Sequence, residues 1–178
     1  MSQAGAITGN IKTDKKKFEE IFSDCADIKM RQMFLGEGKN IECLVAYIEV
    51  AVANVLFEKS ALGKMLNAFS GMQTEKMYEC LEKNGLGLSD VTVFDTYEEA
   101  ADGLLTGDAV LFVDGYPHAL KVSDKGYPGM GVTEAESEKV IRGSNEGFSD
   151  SVKINTALVR KRVRSPRVKV WKNKAVVR

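Results

Sequence analysis

The chain has 178 residues, 44% hydrophobic and 28% charged, enough for one medium domain or two small ones. It contains no run of about 18 apolar residues, which excludes a membrane-spanning helix within this stretch, and its start has no apolar stretch of the signal-peptide kind. The net charge of zero conceals an asymmetry: residues 1–138 carry 13 Lys/Arg against 23 Asp/Glu, and residues 139–178 carry 12 against 2.

An acidic body with a basic end points to an anionic partner. Nucleic acid, a phospholipid headgroup layer or the acidic body itself would serve. Cys25, Cys43 and Cys80 are widely spaced without a C-x-x-C, which suits core or half-buried thiols in a reducing compartment.

Residues 1–12 contain small and polar residues and are expected to fray. Thr13 or Asp14 caps a helix through about Ser23, with Phe18, Ile21 and Phe22 on one face. The three lysines in its first turn oppose the helix dipole. Ile28 to Leu35 and Ile41 to Val50 form a hairpin around Gly36-Glu37-Gly38-Lys39-Asn40. Lys59 to Phe69 is a helix with Leu62, Met65, Leu66 and Phe69 inward. Thr74 caps another, Glu75 to Lys83, which Asn84-Gly85 and Gly87 stop. That glycine-rich turn is the expected boundary between two subdomains, residues 1–85 and 86–178.

The second unit begins with a strand, Val91 to Phe94. Thr96 and Glu99 make a capping box for a helix from Tyr97 to about Leu105, closed by Gly107. Ala109 to Val113 is an almost purely apolar strand. Asp114-Gly115-Tyr116-Pro117 turns the chain into His118 to Ser123. Thr133 and Glu136 make a second capping box, for an acidic helix ended by Gly143. The last helix runs from about Ser149 to Arg164, with Val152, Thr156, Val159 and Val163 on its apolar stripe, and Pro166 forbids its continuation. Val168 to Trp171 reads as a final strand. The fold class is α/β: two small subdomains, each a mixed sheet with packed helices. The long C-terminal helix crosses their junction near Asn84 to Leu88.

Catalytic chemistry is hard to assemble from these residues. His118 is the only histidine, and no Ser/His/Asp or Cys/His set forms around it, so a structural or exposed role is expected. Asp114-Gly115 reads as a turn. The glycines match neither phosphate-binding pattern. No metal or cofactor is expected. The strongest electrostatic feature is the run Arg160, Lys161, Arg162, Arg164, Arg167, Lys169, Lys172 and Lys174. Only Trp171 could stack on a base within it, so nucleic acid is not expected as the partner.

Three motifs carry a resemblance. Residues 136–143 read E-x-E-x-x-I-R-G, residues 146–148 read E-G-F, and residues 155–162 read N-x-x-L-x-R-x-R. Together they resemble the late part of the N-terminal domain of the spore germination GerA family, the A subunits of germinant receptors. Asp27 to Arg31, Leu44 to Ile48 and the hairpin G-D-x-x-L-x-x-D-G at 107–115 are similar to earlier family segments, so most of residues 15–170 align in order. Where the family has E-P and G-P, this chain has Glu134-Ala135 and Gly143-Ser144. These departures bear on the subfamily, nutrient receptor or stage V sporulation relative.

The resemblance implies a soluble domain followed by transmembrane helices, in the inner membrane of the spore and on its cytoplasmic (core) side. It implies B and C subunits as partners, a homo-oligomer in the full-length protein, and ion release in response to amino acids, sugars or nucleosides. Glu136, Arg142, Gly143, Glu146, Gly147, Phe148, Asn155, Arg160 and Arg162 are then a structural or subunit-contact motif, with no catalytic role. Arg164, Arg167, Lys169, Lys172 and Lys174 are expected beside an anionic membrane surface. Two functions are expected to compete: non-catalytic signalling and assembly, or a small-molecule module holding a germinant between its subdomains.

Overall fold

Two of the strands are apolar at nearly every position, β2 (Ile41–Ile48) and β4 (Ala109–Val113). A strand without alternation has to be covered on both faces. The structure, a computed structural model describing residues 5–49, 61–83, 91–122, 148 and 151–171, meets that demand by pairing the two with each other. With β1 (Ile28–Leu35), β3 (Val91–Phe94) and β5 (Ala119–Val122) they form one five-stranded sheet in the order β1-β2-β4-β5-β3. Every pairing between these strands is antiparallel.

The helices lie in two layers, one on each side of the sheet. α1 (Ile11–Ile21) and α4 (Tyr97–Leu105) cover one face, where Phe18, Phe22, Leu44, Ala46, Ile48, Leu104, Val110 and Phe112 meet. α2 (Ala61–Ser70) and α3 (Thr74–Glu82) cover the other, over Cys43, Val45, Tyr47, Met65, Phe69, Met77, Leu111 and Val113. Neighbouring residues of β2 and β4 therefore go to opposite cores, as the period of two requires.

The α/β class stands, but the expected division into two lobes with separate mixed sheets is corrected. Leu44 pairs with Phe112 and Val45 with Leu111, so the β2–β4 ladder joins strands from both halves of the sequence. β3, α4 and β4 make a split crossover, with β5 filling the place between the two strands. The expected boundary near Asn84 to Leu88 lies outside the described residues.

Residues 5–10 are anchored, correcting the expectation of a frayed start. Ile7 is buried, its N–H donates to the Asp95 carbonyl at 3.0 Å, and Ala6 bridges Thr96. α1 is capped by Asn10, whose Oδ1 accepts from the Thr13 N–H at 3.1 Å, rather than by Thr13 or Asp14. The helix thus starts earlier than expected, and Lys15, Lys16 and Lys17 fall beyond its first turn, where they oppose the dipole less. Asp14 turns back into the core. Thr96 and Glu99 form the expected capping box on α4, whereas the N-cap of α3 is Gln73, with no side-chain cap bond.

Gly115 explains the Asp114-Gly115 turn. Its φ is +80°, and a Cβ there would sit 2.5 Å from the Tyr78 hydroxyl, which donates to the Asp114 carbonyl at 2.6 Å. Gly115→Ala should lower unfolding free energy by about 2 kcal/mol, from left-handed backbone strain plus the disturbed Tyr78 hydrogen bond. Urea denaturation reads this directly, and a loss under about 0.5 kcal/mol would contradict it.

The C-terminal helix, α5, spans Val152–Arg162 and is capped by Ser151. Its expected apolar stripe is corrected: Val152 is 77% exposed and Val163 46%, while Ala157, Leu158 and Arg160 are buried. The described polar side-chain contacts of α5 to the sheet reach Asp27 and Glu49, beside the ends of β1 and β2, rather than a junction between lobes. Val168 to Trp171 forms no strand; a single parallel bridge joins Val170 to Cys25.

Candidate functional site

The described part of the late motif centres on a buried ion pair. Arg160 is on the last full turn of α5 and Asp27 immediately precedes β1. Arg160 Nε donates to Asp27 Oδ2 at 2.7 Å and Nη2 donates to Oδ1 at 3.0 Å, a bidentate fork. The two side chains are 0% and 2% exposed. Burial opposes the charged guanidinium, but the hydrogen bonds to Asp27 and its charge outweigh this, and the Arg160 pKa lies above its ordinary value. The third arm, Nη1, donates to the Ser165 carbonyl at 3.0 Å.

One guanidinium therefore joins the sheet body to the segment after α5. That segment lies along the loop between α1 and β1. The Ala26 N–H donates to the Val170 carbonyl at 2.9 Å, and Lys169 Nζ donates to the Ser23 carbonyl at 2.6 Å. Cys25 is buried beneath it, with Sγ 3.5 Å from the Val168 carbonyl oxygen. Trp171 stands 70% exposed at the rim of a shallow cleft of about 390 Å³, lined also by Phe22, Asp24, Cys25, Ala26 and Val170.

The motif residues separate on this frame. Arg160 points inward while Arg162 is exposed, because positions two apart on a helix do not share a face. Asn155 is half-buried, and Phe148 is 71% exposed. Arg164, Arg167 and Lys169 are exposed. Glu136, Arg142, Gly143, Glu146, Gly147, Lys172 and Lys174 lie outside the described residues. Arg160 thus departs from the other described residues of its basic run, being a core residue.

Three features had no signal in spacing alone. Asp27 and Arg160 are separated by 133 positions. Asp14 is buried and accepts from Thr8 N, Thr8 Oγ1, Gly9 N and Tyr97 Oη at 3.0, 2.7, 3.1 and 2.5 Å. Asp114 Oδ1 accepts from the N–H of Ile11, the first residue of α1, at 3.1 Å. The turn carboxylate therefore also helps to start a helix more than a hundred residues away.

His118 Nδ1 is 2.7 Å from Asp95 Oδ1, with both side chains exposed. The ring borders a cleft of about 360 Å³ whose walls are Tyr78 of α3, Val93 of β3 and Gly115 to His118 of the β4–β5 turn. Among the described residues, no group of three His, Cys, Asp or Glu could hold a metal ion. The three thiols are free. Burial first, and then the charge of Glu42, pushes the Cys43 thiol up to about 12. At pH 8 a disulfide reagent should therefore modify half-buried Cys80 in the folded chain and leave Cys43 untouched until urea unfolds it. Modification of Cys43 as fast as Cys80 would contradict its placement.

Among the described residues, no helix is long and apolar enough to cross a membrane. The chain is 32% identical over 169 residues to the uncharacterized membrane protein YfkQ of Bacillus subtilis (strain 168), covering 95% of this chain and 32% of that protein. It is 26% identical to spore germination protein KA of the same strain, covering 95% of this chain and 30% of that protein. The chain thus spans about a third of the length of these curated relatives. The crystal structure of the N-terminal domain of the A subunit of the Bacillus megaterium spore germinant receptor GerK3 superposes with a TM-score of 0.66, at 19% identity, over 94% of this chain and 60% of that one. That likeness establishes a shared fold. Residues 16–176 match the family model of the Bacillus/Clostridium GerA spore germination protein, and the chain belongs to that family.

Proposed function

We propose that this chain is the N-terminal domain of a germinant receptor A subunit, acting in signalling and assembly without catalysis. The observation that carries the reading is the match of residues 16–176 to the GerA spore germination family, and 94% of the chain shares the fold of an A-subunit N-terminal domain. Coverage of only 32% and 30% of its relatives' lengths fits a domain within a longer protein. In this reading the domain lies on the cytoplasmic side of the spore inner membrane. B and C subunits and further copies of the A subunit are its partners, and nutrient recognition leads to ion release. Purification of the full-length protein from spore membranes tests the assembly: B and C subunits should accompany it, and their consistent absence would overturn the reading.

The exposed Arg164, Arg167 and Lys169 support an anionic membrane surface near the basic end. Each basic residue adds about 1 kcal/mol of attraction when close to anionic lipid, fading within a Debye length. The chain should bind anionic vesicles at low salt and release them as salt rises. Changing Arg164, Arg167, Lys169, Lys172 and Lys174 to Gln should weaken that binding. A folded chain that fails to bind at low salt would leave these charges to the acidic body.

The cleft between α3 and the β4–β5 turn favours a second reading, a germinant site. Tyr78 comes from the first half of the sequence and the other lining residues from the second. Its volume, about 360 Å³, is in the range of small-molecule pockets. A ligand at 100 times its Kd should add about 2.7 kcal/mol of apparent stability. A thermal-shift screen with amino acids, sugars and nucleosides that finds no stabilisation would remove this reading.

A further inference from the structure

We propose that residues 163–171 form a releasable strap, latched to the body by Arg160 and Asp27, whose opening and closing passes movement between the body and the chain beyond it. The proposal rests on the reading that more of the receptor follows this domain.

The strap is held differently from the rest of the molecule. Arg164, Arg167, Lys169 and Trp171 along it are all exposed. A single parallel bridge, Val170 to Cys25, stands in place of a ladder. Its hold on the α1–β1 loop is made by the Ala26 N–H on the Val170 carbonyl, the Lys169 ammonium on Ser23 and the Cys25 thiol under the Pro166 and Val168 carbonyls. A segment with few buried apolar contacts and exposed hydrogen bonds opens at a fraction of the global unfolding cost. α5 has its own anchor in buried Ala157 and Leu158 and need not follow.

The latch determines when opening happens. Arg160 uses two arms on Asp27 and the third on the Ser165 carbonyl, so the same planar group fixes the body and the root of the strap. The loop under the strap, residues 22–27, carries the end of α1 into β1. Phe22, at its start, packs on Phe18, and Phe18 packs on Phe112 of β4. A strap that lifts or presses there acts on a loop continuous with one helix layer and an edge strand of the sheet.

Cys25 reports the strap's state, since it is covered when the strap is closed, while Cys43 in the sheet reports global unfolding. In a Cys80→Ser background of the whole chain, a disulfide reagent should label Cys25 well before Cys43. Asp27→Asn should speed Cys25 labelling at least tenfold. Lys169→Gln, which leaves the buried pair intact, should speed it a few-fold without moving the urea midpoint. If Cys25 and Cys43 label at one common rate in all three proteins, the strap is part of the global core and the proposal fails. Cys25 labelling that is fast and indifferent to both substitutions would equally overturn the latch.

Coupling is tested in the full-length receptor with the Val170→Cys variant. The bridged pair has the close backbone approach a disulfide needs, so mild oxidation should tie position 170 to Cys25. The reduced variant should respond to nutrient, the oxidised one should not, and a reductant should restore the response. An oxidised, cross-linked receptor that responds normally would overturn coupling and leave the receptor reading standing. A receptor that is silent before any substitution would instead overturn the receptor reading, with the labelling result still standing.

Discussion

Arg160→Ala should destabilise the chain by about 3–5 kcal/mol, the range for breaking a buried ion pair from one side. The loss has two parts. Asp27 is 2% exposed and would lose its bidentate partner, and the Ser165 carbonyl would lose the third arm. The identity of the basic run suggests otherwise, since an exposed arginine in a solvated row is worth about 0–1 kcal/mol. Replacing both partners, as Asp27→Leu with Arg160→Met, should recover much of the loss, because two well-packed apolar groups leave no uncompensated charge. Urea denaturation of Asp27→Leu, Arg160→Met and the double variant closes the cycle. A loss below about 1 kcal/mol for Arg160→Ala would show that the pair is not buried in solution.

Asp14→Ala should cost about 3 kcal/mol. The carboxylate accepts from two backbone N–H groups and two hydroxyls. Removing it leaves the buried donors of Gly9 and Tyr97 without an acceptor, at about 1–3 kcal/mol each, less what water recovers. Residues 5–10 should loosen first, because the carboxylate ties Thr8 and Gly9 to α4. The same contact carries a pH dependence. Burial first, then the hydrogen bond and charge of Asp14, hold the Tyr97 phenol above its ordinary value. A raised phenol pKa contributes stability that is complete below about pH 10, the unfolded value, and erodes above it as the unfolded chain ionises. Stability should therefore fall less steeply from pH 10 upward in Tyr97→Phe than in the unmodified chain. Equal slopes would dissociate the phenol from the Asp14 network.

The local elements were legible because their signals are local. The hairpin β1–β2 follows from two apolar runs around a glycine turn, and the capping box on α4 follows from Thr96 and Glu99. The single sheet had a signal too, in two strands without alternation. Ile41–Ile48 and Ala109–Val113 each require cover on both faces and neighbours at both edges, which central strands of one sheet provide. Reading Gly85 and Gly87 as a domain boundary hid that requirement. The α5 stripe failed for a different reason. Valines at helical spacing read as the inner face, but the fork to Asp27 turns Arg160 inward and leaves Val152 and Val163 outside. No pattern in the sequence pairs two charges 133 positions apart, or links Asp114 to the first turn of α1. Those are tertiary facts, visible only once the chain is closed. Within the candidate site, Arg160 was legible as part of a motif, but its partner, its burial and the strap beside it were not.

The most direct measurement is germination of spores in which the full-length protein carrying this chain is the only A subunit. Intact spores should lose optical density and release ions when the recognised nutrient is added. Spores in which residues 5–171 are deleted, with the remainder still inserted in the inner membrane, should fail to respond. An equal response from both would contradict the assignment of signalling and assembly to this domain.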